Sequence, residues 1–136
     1  QPIGAMGVAG SLEASVTRVD VLTADVTLTE SYGIFVAVQC SVKVTQSKPP
    51  AGVYSTEGSV EVYRNGVRVD TQSSDTVSMS SSSSGSVSTT LNAAFIRFDS
   101  PGVGTHTYTV KVSRIGTVFA TCTYEAPQLF LMVTKR

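Results

Sequence analysis

The chain has few of the residues from which most catalytic and binding sites are built. Its 136 residues include no tryptophan, one histidine and two cysteines, and only 15% of them are charged. Ten basic and ten acidic residues give a formal net charge of zero. Proteins that bind nucleic acid or anionic lipid need a basic surface to neutralise phosphates, so this balance argues against both partners. No apolar run approaches the ~18 residues of a membrane-spanning helix, and no membrane insertion is expected.

The sequence also lacks the spacing signatures of common active sites. It has no CxxC pair for zinc, no GxSxG nucleophile turn, and aspartates too scattered for a calcium loop. The single histidine, His106, stands among alternating strand residues, and we interpret it as a solvent-facing strand residue. We therefore expect a protein that binds or assembles rather than an enzyme, with no cofactor and no metal.

The two cysteines, Cys40 and Cys122, lie in apolar, strand-like segments. A disulfide between two sheets and a pair of buried thiols both fit this setting. Two cysteines are too few for a disulfide scaffold, so the fold must depend on a hydrophobic core. Hydrophobic residues make up 41% of the chain, and a chain of this length can bury a single-domain core without covalent staples.

Serine and threonine supply most of the polar positions. A surface of uncharged hydroxyls packs against copies of itself more readily than a charged surface does, and zero net charge removes mutual repulsion. This composition favours oligomer assembly, and it also fits an ordinary soluble surface.

Apolar and polar residues alternate at a period of two along nearly the whole chain, which predicts an all-β protein of about nine or ten strands. Short strands separated by regular turn signals are typical of an antiparallel β-sandwich or barrel. Residues 32–44 are predicted as a central strand covered on both faces at its start, and 87–98 as a strand that becomes more buried towards its end. Ala126-Pro127 is predicted to separate a strand over 117–124 from an apolar closing strand over 129–133.

The clearest local signal is Asn65-Gly66, between two alternating segments. Both residues tolerate positive φ, as a two-residue type I′ hairpin turn requires. The predicted register places Arg64 opposite Val67, Tyr63 opposite Arg68, and Val62 opposite Val69.

We divide the chain into residues 1–7 and a single domain over residues 8–136. The first segment contains the letters GAMG, and we interpret it as an expression-vector remnant or a flexible tail.

Two predicted loops carry the candidate binding residues. One loop contains consecutive prolines, which cannot continue a sheet, and the other contains five serines in a row. Tyrosine offers apolar area plus a hydroxyl, so Tyr54, just after the proline loop, is the best candidate of its type. The candidate receptor-contacting residues are Lys48, Tyr54, Ser82 and Ser83.

The segment Asp99–Val112 resembles a D-x-P-G-x-G-x-x-T-Y-x-L-x-V pattern found near the C-termini of bacteriophage tail-fibre and tail-tip proteins. The hairpin around Asn65-Gly66 and the apolar closing strand are similar to theirs too. The resemblance implies a homotrimeric, jelly-roll-like head at the tip of a phage tail, similar to the C-terminal part of lambda-like host-specificity proteins. It implies binding to a protein or polysaccharide receptor on the bacterial surface, and a virion component assembled in the host cytoplasm.

Two other functions fit the same predicted fold. One is an immunoglobulin-like or carbohydrate-binding module of a bacterial surface protein, for which a monomer is expected. The other is a purely structural virion domain, for which an oligomer without affinity for host cells is expected.

Overall fold

The computed structural model describes residues 3–12, 16–116 and 119–134, which form ten strands in two antiparallel sheets. These residues contain no helix, so none is long and apolar enough to cross a membrane. The strands are β1 (Ile3–Met6), β2 (Gly10–Leu12), β3 (Arg18–Leu28), β4 (Gly33–Ser47), β5 (Val53–Arg64), β6 (Val67–Ser73), β7 (Val77–Ser80), β8 (Ser86–Asp99), β9 (Gly104–Ile115) and β10 (Ala120–Thr134).

The strand order is that of a jelly roll. Strands pair from the ends of the chain inward: β1 and β2 with β10, β3 with β9, β4 with β8, and β5 with β6 and β7. This nested ribbon folds over so that β10 pairs β4 and β9 pairs β5. Sheet A then has the order β1-β10-β4-β8, and sheet B has the order β3-β9-β5-β6. The predicted antiparallel, jelly-roll-like β-sandwich is confirmed.

The hydrophobic core lies between the two sheets. Every second residue of β4 points inward, and these side chains are almost fully buried: Ile34, Val36, Val38, Cys40, Val42 and Val44. Sheet B faces them with a matching row, which comprises Val60, Val62, Tyr108, Val110 and Val112. Strict alternation is what allows each sheet to bury one face while the other face remains outside.

The Asn65-Gly66 hairpin forms as predicted, with φ of 50° and 85° at the two turn residues. Arg64 lies opposite Val67, and Tyr63 lies opposite Arg68. The third predicted pair is wrong, because Val62 lies opposite Asp70 and not Val69. A β-bulge between Val62 and Tyr63 shifts the register by one residue.

Two further strand predictions need correction. Strand β8 is most buried in its middle, at Leu91 and Ala93, and not towards its end, because Ile96 and Phe98 point to the uncovered outer face of sheet A. Strand β10 is continuous over Ala120–Thr134, because a bulge between Glu125 and Gln128 takes up an extra residue with Ala126 at φ of 49°. Residues 117 and 118 of the predicted strand lie outside the described residues.

Part of the segment set aside in the sequence analysis is paired in the sheet. Ile3–Met6 form β1 against Gln128–Leu131, and the N–H of Gly7 donates to the carbonyl oxygen of Pro127. The first two residues lie outside the described part.

Both cysteines are buried free thiols, which decides between the two alternatives left by the sequence. Burial raises the pKa of Cys40 to about 11, and the nearby Cys122 adds to this increase. Burial likewise raises the pKa of Cys122 to about 11. The folded state therefore favours the neutral form of each thiol.

Replacing Gly66 with Val should lower the free energy of unfolding by about 1–2 kcal/mol, because a β-branched residue is strained at positive φ. A Cβ at this position would have no neighbour within 4 Å, so the cost is conformational and not steric crowding. Gly66→Asn is the control, since asparagine tolerates positive φ and should cost clearly less. Urea denaturation measures both, and equal losses for the two variants would contradict the prediction.

The double variant Cys40→Ala with Cys122→Ala should remain folded in reducing buffer, at a cost of about 1–2 kcal/mol for the lost core volume. A thiol whose folded pKa is raised from 9.0 to about 11 stabilises the fold below pH 9, and this contribution is lost as the pH rises towards 11. Wild type should therefore lose stability across that interval faster than the variant. Urea denaturation at both ends of the interval checks this, and parallel losses would count against it.

Candidate binding surfaces

The outer face of sheet A carries an uncovered apolar patch. Its members are between 42% and 69% exposed, and we define the apolar patch as Phe35, Ile96, Phe98, Phe130 and Met132. The start of β4 is not covered on both faces, so the prediction made from the sequence is wrong within this chain, because no layer of the described residues lies over Phe35. An exposed group of large apolar side chains on a folded protein marks a surface of interaction.

Strand register brings the apolar patch together. Phe35 of β4 lies opposite Phe98 of β8 on one side and Met132 of β10 on the other. The rings of Phe35 and Phe98 meet edge to face with centroids 5.2 Å apart. A depression of about 300 Å³ is lined by four members of the patch, Phe35, Ile96, Phe130 and Met132, together with Ala37. The patch is therefore a continuous surface across three strands.

The position of the Phe130 ring depends on a glycine in the neighbouring strand. A Cβ on Gly4 of β1 would lie 3.1 Å from the Phe130 ring, so the ring lies directly over the glycine backbone. Gly4 is paired with Phe130 across the β1–β10 ladder. Residues near the start of the chain thus contribute to this surface.

A polar groove continues from the apolar patch along β4. The bulge in β10 widens this region, and small outward residues such as Ser41 and Ala94 form its floor. Two depressions of about 240 and 210 Å³ share Ser41. We define the polar groove by the outward residues that line them: Gln39, Ser41, Lys43, Thr90, Asn92, Thr123, Glu125 and Gln128.

A larger depression connects the two regions. It has a volume of about 560 Å³ and reaches from Ile96 and Phe130 in the patch to Gln39 and Gln128 in the groove. The outer face of sheet A is therefore apolar towards one end of the sandwich and rich in amides and hydroxyls towards the other.

The outer face of sheet B is charged instead. Glu61 is covered there by Arg18, whose Nε lies 3.0 Å from Oε1, and by Arg68, whose Nη1 lies 3.5 Å from Oε2. Lys111 lies beside it, 2.7 Å from Asp20. Ion pairs of this kind hold charges at a hydrated surface, so sheet B is the face suited to water.

The four candidate residues predicted from the sequence lie at one end of the sandwich. Ser47 pairs with Ser86 and Val53 with Ser80, so the loops over 48–52 and 81–85 are neighbours. Lys48 and Ser82 are exposed, and Tyr54 and Ser83 are half-buried.

At this end of the sandwich, the candidate residues contact mainly other residues of the same end. The Tyr54 ring stacks on Phe119, with centroids 5.7 Å apart. The Ser80 hydroxyl lies 2.9 Å from that of Ser82 and 3.1 Å from that of Ser83. The structure therefore brings the four candidates together, at the end of β4 farther from the apolar patch.

His106 is not a solvent-facing residue, which corrects the sequence interpretation. It is 8% exposed, because it points inward near the start of β9, where the hairpin tip and the loop containing Gly102 cover it. Asn65 accepts a hydrogen bond from the Thr107 N–H through Oδ1, so its amide nitrogen faces His106 Nδ1 at 3.1 Å. His106 Nε2 then donates to the carbonyl oxygen of Gly102 at 3.0 Å. The histidine anchors the hairpin and has no nucleophile beside it in the described contacts.

Asp99 joins the two sheets at the same end. Its carboxylate accepts two hydrogen bonds from Arg64 Nη1, at 2.6 and 2.7 Å, and one from the Tyr108 hydroxyl at 2.6 Å. Burial raises the pKa of Tyr108 above its usual value, and the bond to Asp99 raises it further. The bond to Asp99 also raises the pKa of Arg64. Asp99 and Tyr108 both belong to the segment that resembles the tail-fibre pattern, and here they stabilise the fold.

The described residues contain no group of three histidine, cysteine, aspartate or glutamate side chains that could hold a metal ion. The surfaces with distinctive chemistry are therefore the apolar patch, the polar groove and the pair of loops. Each offers a contact surface, and among the described residues of all three no nucleophile is hydrogen-bonded to a histidine.

Sequence reasoning missed part of the patch and all of the groove. The signal for the patch was present in apolar residues on both faces of β10 and at the start of β4. Phe95, Ile96 and Phe98 gave the same signal in β8 and were interpreted as buried, because strand order cannot be read from periodicity.

No protein family matches this chain, and no curated protein does. Among solved structures, it is similar to that of infectious bursal disease virus strain Gx, with a TM-score of 0.35 and 8% identity over 98% of this chain. It is similar to that of strain Gt, with a TM-score of 0.34 and 8% identity over 98% of this chain. A mutant VP2 protein of the same virus gives a TM-score of 0.34 and 8% identity over 96%.

The chain spans 41%, 41% and 35% of the lengths of those three chains. At identities and TM-scores this low, the likeness assigns no role to any residue of this chain.

Proposed function

We propose that this chain is a structural domain of a virus particle and associates with copies of itself through the apolar patch. The observation that carries the proposal is the patch: five large apolar side chains, at least 42% exposed, on the outer face of one sheet. Jelly rolls are common in virus shells, and this supports the virion setting by analogy of fold only.

A second copy is the partner that the charges favour. The patch contains no ionisable residue, and the whole chain has a formal net charge of zero, so two copies meet without repulsion. Burying apolar surface contributes roughly 25 cal/mol per Å², which favours covering the patch over leaving it in water. A homotrimer is the stoichiometry we propose, following the tail-fibre resemblance of Asp99–Val112.

The double variant Ile96→Lys with Met132→Lys should convert the oligomer into a monomer, because two charges would have to be buried in an apolar contact. Multi-angle light scattering should give three times the chain mass for wild type and the chain mass for the variant. The control is Val67→Lys with Val103→Lys, which adds the same charge at exposed valines outside the patch and should leave the mass unchanged.

Circular dichroism must show that all three proteins remain folded. A wild-type protein that is monomeric at every concentration, or a control that dissociates as the patch variant does, would overturn the proposal.

A second candidate function is receptor binding at the tip of a phage tail, as the sequence resemblance implies. The observation that favours it is the position of Lys48, Tyr54, Ser82 and Ser83, which share one end of the sandwich away from the apolar patch. An assembly held together by the patch would leave these loops open to a host surface.

Fluorescently labelled wild type should then bind cells of at least one strain in a panel of bacteria. Lys48→Ala with Ser82→Ala should reduce this binding, since both side chains are exposed and contribute little to folding. The matched control, Arg97→Ala with Val103→Ala, alters exposed residues at the other end. An oligomer that binds no cells would leave only the structural function, whereas a monomer that binds cells would favour the surface-module alternative.

A further inference from the structure

We propose that the polar groove is a binding site for an uncharged oligosaccharide lying along β4. The site goes beyond the proposed self-association and uses a different part of sheet A. It begins at Gln39 and runs towards Lys43, which is about 13 Å at roughly 3.3 Å per strand residue. That length suits a short chain of sugar rings better than a single small molecule.

The shape of the groove comes from the bulge in β10. Between Glu125 and Gln128 the strand contains one residue more than β4 does, with Ala126 at a φ of 49°. Bulges commonly occur beside binding sites, where they redirect neighbouring side chains. Here the bulge separates Gln128 from Glu125 and leaves a depression of about 240 Å³ over Ser41 and Ala94.

The groove offers side-chain donors and acceptors, and β4 at its centre has no free edge. Strand β4 is hydrogen-bonded to β10 on one side and to β8 on the other along its length, so a peptide cannot add to it as a further strand. Its chemistry is therefore that of the side chains alone, which disfavours an extended peptide as the ligand.

Three amides carry the recognition. Within the described residues, the side chains of Gln39 and Gln128 have no hydrogen-bond partner, and Asn92 uses only its Oδ1, which accepts from the Ser41 hydroxyl at 2.8 Å. A primary amide both donates and accepts, as a sugar hydroxyl does, so each amide can pair with one or two neighbouring hydroxyls. Hydroxyls of Thr90 and Thr123 extend the same chemistry along the groove.

Charge selects a neutral ligand. Lys43 and Glu125 are the ionisable residues of the groove, and neither forms an ion pair within the part of the chain that the structure describes. Their formal charges cancel, so a polyanion or a polycation would gain from one and be repelled by the other. A neutral polyhydroxylated chain can accept from the ammonium group and donate to the carboxylate.

The test is a titration of wild type with a panel of neutral linear gluco-, galacto- and manno-oligosaccharides at millimolar concentration, followed by ¹⁵N chemical shifts. At least one should bind and shift the amides of β4, β8 and β10 around the groove. Asn92→Ala with Gln128→Ala should weaken that binding about tenfold, because two hydrogen-bonding groups are lost. The control, Ser86→Ala with Thr121→Ala, alters the same face beyond the groove and should bind as wild type does.

Light scattering separates this site from the self-association. Neither double variant alters the apolar patch, so both should keep the wild-type mass. The proposal is overturned if no oligosaccharide of the panel shifts the groove residues, or if the groove variant binds as tightly as the control.

Discussion

The alternation of β4 is the constraint on which the rest of the structure depends. This strand is paired along its length with β10 on one side and β8 on the other, and its inward row forms one wall of the core. Because strand side chains alternate between faces, fixing that row inside also fixes which residues lie outside. The apolar patch and the polar groove are therefore both consequences of how β4 packs, since their central residues are the outward row of the same strand.

The outer faces of the two sheets differ in their chemistry. Sheet B covers Glu61 with two arginines and places Lys111 against Asp20, so that its outer side is charged and hydrated. Sheet A places aromatic and aliphatic side chains outside near Phe35 and short polar ones near Ser41. Such a difference is what we expect of a domain that uses one side for contacts, as in the self-association proposed above. This asymmetry, more than the topology, is what connects the fold to a function.

Much of the fold could be predicted from local patterns, because local patterns determine it. The period of two, the Asn65-Gly66 turn and the break at the prolines before Val53 all depend on residues adjacent in sequence. The wrong predictions concern residues whose burial depends on partners that are distant in the sequence. The exposure of Ile96 depends on which face of sheet A it lies on and on that face being uncovered, and the burial of His106 depends on a hairpin some forty residues earlier in the chain, at Asn65. The four candidate loop residues lie at one end of the sandwich, which the sequence did not predict. The groove depends on three strands whose order the sequence does not reveal.

The bulge in β10 acts as a phase shift in the alternation of that strand. Before it, the inward positions are even-numbered, as Cys122 shows, and after it they are odd-numbered, as Leu129 and Leu131 show. Without the bulge, the same residues would alternate without interruption, and the second half of β10 would present Phe130 and Met132 to the core and its two buried leucines to the outside. The bulge thus decides which set of side chains the last strand displays. A strand of this kind would exchange its buried and outer side chains if its extra residue were paired in the regular ladder.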